Sequence, residues 1–150
     1  MSETLKIFLT SGLTIIGGVL IYTMGQVISK FFIEPIHSQA KCIEKISHSL
    51  IFYANIYANV RNDQHDIRKK VSNTTRHQAS ILAARTNMIK FYRLFELLML
   101  VPKRNDVEKA VGELIGLSNS IFPPAGEDAS INQSRENHTS LENIKKLLSL

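Results

Sequence analysis

The chain has 150 residues, 44% of them hydrophobic, and its 18 Lys and Arg outnumber 13 Asp and Glu for a net charge of +5. That length holds one small domain beside at most one membrane segment. A single cysteine, Cys42, excludes an intramolecular disulfide and any multi-cysteine zinc site.

The N-terminal stretch Ile7 to Ser29 contains no charged residue across 23 positions. As a helix it covers roughly 35 Å, enough for a hydrocarbon core of about 30 Å. Only a helix satisfies its own backbone groups in lipid, so the stretch predicts a transmembrane helix within residues 1–33. A cleaved signal peptide fits poorly: the apolar run is long, Glu3 precedes it, and no Ala-x-Ala site follows. Lys30, Lys41 and Lys45 follow the helix, which under the positive-inside rule puts the C-terminal part in the cytoplasm of a bacterium. Ser11, Thr14, Gly18, Ile21 and Gly25 recur at spacings of three and four. The small members of this stripe, Ser11, Thr14, Gly18 and Gly25, are candidate packing positions for a homo-oligomer in the membrane.

Glu34-Pro35 predicts a break, with a second helix from about Pro35 to Ala58. Its buried seam is Ile43, Ile46, Leu50, Tyr53 and Tyr57. The local repeat puts Tyr53 above Tyr57 and Asn55 above Asn59. The tyrosines are either core with a polar tip or a stacking platform, and the asparagines either line a site or end the helix. Cys42 is a small apolar core residue or a palmitoylation site.

Val60 to Asp66 reads as a polar connection. A long third helix follows, from about Ile67 to Leu100, with Ile81, Ala84, Met88, Phe91, Phe95 and Leu98 as a heptad seam. Between Arg61 and Arg104 ten Lys and Arg stand against three acids. The apolar run Phe91 to Val101 should be buried on most sides or against another subunit, with a half-inserted hairpin as the alternative. Asn105-x-x-Glu108 predicts a capping box for a fourth helix over about Asp106 to Ile121, where Gly112 and Gly116 suit close packing. Ala125 to His138 reads as a polar loop, and residues 123–138 as mobile. Thr139-x-x-Glu142 then caps a short last helix carrying Leu141, Ile144, Leu147 and Leu148. The expected fold is all-α: a membrane segment at 1–33 and a helical domain of three to four helices at 34–150.

No glycine-rich phosphate loop, HExxH or GxSxG motif is present, and the histidines lack metal-ligand spacing, so binding without metal or cofactor is expected rather than catalysis. Arg76, Arg85, Lys90 and Arg93, with His77, provide phosphate-binding groups. Tyr53, Asn55 and Asn59 add stacking and hydrogen bonding suited to a nucleotide base. The bland alternative is a solvated basic face.

The segments Phe32-Ile-Glu-Pro-Ile36, Leu50-Ile-Phe-Tyr-Ala-Asn55, Phe95-Glu-Leu-Leu98, Val101-Pro-Lys103 and Glu113-Leu-Ile-Gly-Leu-Ser-Asn-Ser120 resemble those of a family of short bacterial membrane-anchored proteins. The layout is also similar to the membrane effectors of type III CRISPR systems. That resemblance implies an antiviral defence effector of the inner membrane. It would be a tetramer whose cytoplasmic domain binds a cyclic oligoadenylate and perturbs the lipid bilayer, with no DNA bound. The alternative is a structural or interaction protein that docks a protein partner at the membrane. A third reading is a toxin-like membrane protein that needs no ligand.

Overall fold

The computed structural model describes residues 2–59, 65–122 and 127–150, apart from the side chains of 127 and 128. Among them every regular element is helical. The chain divides into two compact units, Met1–Pro35 and Ile36–Leu150.

The first unit is built on α1, Glu3–Ile28, which is long and apolar enough to cross a membrane. None of its residues is buried within the chain. Its threonines turn their hydroxyls back onto the helix: Thr10 donates to the Lys6 carbonyl at 2.7 Å, Thr14 to Thr10 at 2.9 Å, and Thr23 to Val19 at 2.8 Å. Hydroxyls satisfied in this way ask nothing of an apolar surrounding.

The predicted break at Glu34-Pro35 is absent. Glu34 keeps helical angles, φ −60° and ψ −43°, and its N–H reaches back five residues to the Ser29 carbonyl. Ser29–Ile33 is a π-helical turn. The physical reason lies in Pro35, which has no N–H and whose ring would collide with the carbonyl four residues back. Widening the turn just before the proline relieves that clash without ending the helix.

The second unit comprises α2 (Glu34–Phe52, whose first two residues belong to the first unit), α3 (Ala54–Ala58), α4 (His65–Met88), α5 (Tyr92–Leu97), α6 (Arg104–Ser120) and α7 (Glu127–Leu148). α4 packs on α6, α6 on α7 and α3 on α7, while side-chain hydrogen bonds join α2 to α4. The main core combines Ile46 and Leu50 of α2, Tyr57 of α3 and Val71, Ala79 and Leu82 of α4. It also takes Val107, Leu114 and Leu117 of α6 and Leu141, Ile144 and Leu148 of α7. Cys42 joins this core at 3% exposure, which removes it from the reach of a palmitoylating enzyme.

Several helix ends differ from the sequence expectation. The second helix stops at Phe52 and resumes at Ala54, because Tyr53 leaves helical geometry. α6 begins at Arg104 and is preceded by Lys103, so Asn105 forms no capping box, and Glu108 pairs instead with the Arg104 guanidinium at 3.2 Å. A Cβ built on Gly112 or Gly116 meets nothing, so these glycines mark open surface rather than close packing. The polar connection expected over 60–66 and the proline pair at 123–124 lie largely outside the described residues, apart from His65 and Asp66, which open α4.

The largest correction concerns phase. The heptad seam expected on the third helix is mostly outside: Ala84 is exposed, as are Met88, Phe91 and Leu98. α4 instead buries Arg68, Val71, Ser72, Thr75, Ala79, Leu82 and Thr86, again at spacings of three and four. Four of these seven are polar, and hydrogen bonds make them tolerable to bury. Ser72 donates to the Ser118 carbonyl at 2.7 Å, and the Arg68 guanidinium donates to the carbonyls of Ile121 at 2.8 Å and Asn59 at 2.5 Å. α7 repeats the device. The expected loop is helical from Glu127 on, because Asn137 continues the seam of Leu141, Ile144 and Leu148 inward. Its amide donates to the carbonyl of Tyr57 at 3.0 Å and that of Ser120 at 3.4 Å. Thr139, expected to cap a helix, sits inside this one and donates to the Arg135 carbonyl.

Candidate docking surface

α4 ends where the chain turns left-handed. Phe91 has φ 56° and ψ 37°, an unusual conformation for an aromatic residue. α5 follows for six residues and closes in a Schellman turn: the Met99 N–H binds the Glu96 carbonyl at 3.1 Å and the Leu100 N–H that of Phe95 at 2.9 Å. Met99, again with φ 56°, occupies the position that glycine usually fills. One side of this turn is anchored. Tyr92, Ile89 and Val101 form a second small core with Ile36 and Phe95. The Tyr92 hydroxyl donates to the Pro102 carbonyl at 2.7 Å, and Gln39 donates to Tyr92 at 3.2 Å and to Thr86 at 2.8 Å. Burial pushes the Tyr92 phenol above its ordinary pKa, with the Gln39 hydrogen bond opposing.

The other side is exposed. Met88, Phe91, Leu94, Leu97, Leu98, Met99 and Leu100 are all more than half exposed, Met99 at 92%. Exposed apolar side chains in such number are uncommon on a small soluble domain and make this stretch a candidate interaction site. Between the α5 turn, the start of α6 and the end of α7 runs an open groove of about 840 Å³, with Leu97, Val101 and Leu147 in its wall and Arg93, Lys103 and Lys146 among its charged lining. Glu96 and Asp106 add the acidic groups. Arg104 is held in place by Asn87, Glu108 and the face of the Tyr92 ring, 5.9 Å away.

The residues that the sequence offered for a nucleotide do not assemble within one chain. Arg76 is exposed and donates to the Asn119 side chain on α6. Arg85, nine residues along the same helix and so half a turn round, donates to the Ser38 carbonyl on α2. His77 is exposed on α4, Lys90 lies beyond its end, and Arg93 is on α5. Tyr53 is partly buried, with its ring edge-on to Phe52 at 4.9 Å, and Asn55 is exposed. Asn59 meets Arg68 through its backbone carbonyl. Tyr57 is wholly buried with its hydroxyl 2.7 Å from that of Thr75, and burial raises its pKa, which makes it core rather than a stacking platform. In α1, Ser11, Thr14, Gly18 and Gly25 are all exposed, and a Cβ on either glycine meets nothing in the chain.

Among the described residues no three His, Cys, Asp or Glu side chains are grouped to hold a metal. Leu97, Met99, Leu100 and Lys103 were not singled out by the sequence as surface residues. Their signal is an apolar run interrupted only by Arg93 and Glu96, which fits burial or a contact with another subunit. Comparison of the chain with protein-family models, with curated proteins and with solved structures finds no match.

Proposed function

We propose that the protein is a single-pass protein of a bacterial inner membrane whose cytoplasmic helical domain works by binding, not by catalysis, through the surface of residues 88–103. The observation that carries this reading is the outward placement of seven large apolar side chains between Met88 and Leu100. α1 supports the anchoring half, being 26 residues long with no buried position. A photoreactive residue placed at position 97 of the full-length chain in cells tests it. The reading expects adducts at 97 and few at His77, which is exposed on a polar stretch of α4. No adduct at 97 contradicts it.

A second reading keeps the cyclic oligoadenylate effector. What favours it is that Arg76, His77 and Arg93 are exposed, so the copies of a homo-oligomer such as a tetramer could bring them to a shared anion. Titration of the full-length protein in nanodiscs with cyclic tetra-adenylate decides it. Salt-sensitive binding weakened by Arg76→Ala supports this reading, and the absence of heat sets it aside.

A further inference from the structure

We infer that the α5 turn seats in the headgroup layer of an anionic lipid bilayer, with Leu97 and Met99 reaching deepest. The inference rests on the reading that α1 crosses that bilayer, and it names the occupant of the surface proposed above.

Chain connectivity comes first. The helical domain begins at Ile36, and Ile36 packs against the very cluster that holds the α5 turn, with Tyr92 and Phe95. From Ile33, the last residue of the apolar run, to Ile36 the chain covers at most about 10 Å, whatever its direction. The exposed Leu and Met side chains therefore stand on the end of the domain where its chain begins.

Chemistry comes second. Leu97, Leu98, Met99 and Leu100 are four consecutive exposed apolar residues, and Lys90, Arg93 and Lys103 flank them with Glu96 as the single acid between. Apolar side chains set among basic ones suit an interface with acyl chains below and anionic headgroups around. A second copy of the chain suits it less. In a two-fold dimer the same patch faces itself, so its net positive charge meets a like charge.

Backbone conformation comes third. Phe91 and Met99 bracket α5 in left-handed geometry that neither residue favours. Glycine would serve the turn at 99 better, yet that position bears the most exposed large apolar side chain among the described residues. Strain kept at both ends of an outward apolar segment belongs with a surface that is used.

The test uses full-length protein in nanodiscs of equal parts phosphatidylcholine and phosphatidylglycerol, in a Cys42→Ala background. An environment-sensitive fluorophore is attached singly after Leu97→Cys, Met99→Cys, His77→Cys or Val19→Cys. The expected result is blue-shifted emission at 97 and 99, with quenching by brominated lipid several-fold above that at 77 and weaker in pure phosphatidylcholine. Quenching at 19 but not at 97 or 99 overturns the inference while α1 remains a membrane helix. Absence of quenching at 19 as well removes both readings. A blue shift at 97 and 99 that follows protein concentration and ignores brominated lipid assigns the surface to a second copy and also overturns the inference.

Discussion

On the buried face of α4, Arg68, Ser72, Thr75 and Thr86 are at most 7% exposed, whereas a few turns later Leu97, Leu98, Met99 and Leu100 stand more than half in the open. The two regions depart from the usual pattern in opposite directions. In the first, each side chain donates to a carbonyl elsewhere in the fold or one turn back along its own helix, Arg68 through its two terminal nitrogens, which offsets much of the cost of burial and fixes which helix meets which. In the second, apolar groups are held outward by a turn whose inner side is anchored through Tyr92 and Gln39. Polar seams thus fix the arrangement of the domain, and the α5 turn leaves apolar side chains exposed.

Substitution at Arg68 breaks the comparison most severely. Arg68→Met keeps the stem but withdraws donors from the carbonyl of buried Ile121 and from that of exposed Asn59, and should cost about 2 kcal/mol in denaturant unfolding. A smaller loss is expected for Tyr57→Phe, about 1 kcal/mol, since Thr75 keeps its bond to the Val71 carbonyl. Tyr57, Tyr92 and Cys42 all have pKa values raised, chiefly by burial, above ordinary values of 10.0 for Tyr and 9.0 for Cys. A folded pKa above the unfolded one gives stability that is whole below the unfolded value and is lost as pH rises through the folded one. Unfolding should therefore ease above pH 9 to 10, and less steeply in Tyr57→Phe. A melting temperature independent of pH in that range would count against the buried placement of these groups.

Met99→Gly sharpens the contrast, because it should separate stability from docking. Relief of the left-handed strain predicts a gain of about 1 kcal/mol, while loss of the side chain predicts weaker association with anionic vesicles. A variant that is both less stable and unaltered in docking contradicts the account of this turn. The smallest effects belong to Gly112→Ala and Gly116→Ala. Each should stabilise by about 0.5–1 kcal/mol, because the helix gains propensity and the new methyl meets open space. A loss there would point to helix packing over these glycines in an assembly.

The legible parts of the fold were those whose signal is local. The absence of charge over Ile7 to Ser29 marks α1 without reference to anything else. Val107 and Leu114 of α6 with Ile121 just past its end, and Leu141, Ile144 and Leu148 of α7, are buried at helical spacing that local sequence carries. What was hidden depends on distant partners. Arg68 is made a core residue by a carbonyl 53 positions away, and Asn137 by one 80 positions away. Neither partner is visible in a window of the sequence, so α4 was read in the wrong phase and the first half of α7 as a loop. The turns at Phe91 and Met99 were hidden for a second reason: no glycine or asparagine announces them. In the sequence the candidate surface is legible as an apolar run, but burial, a contact with another subunit and a half-inserted hairpin all fit it.

The measurement that goes most directly to this account is the collision accessibility of a nitroxide in full-length protein held in anionic nanodiscs, compared between positions 99 and 77. The account predicts that oxygen, which partitions into lipid, relaxes the label at 99 more than a water-soluble nickel complex does, with the reverse order at 77. Equal and water-like accessibility at both positions would contradict it.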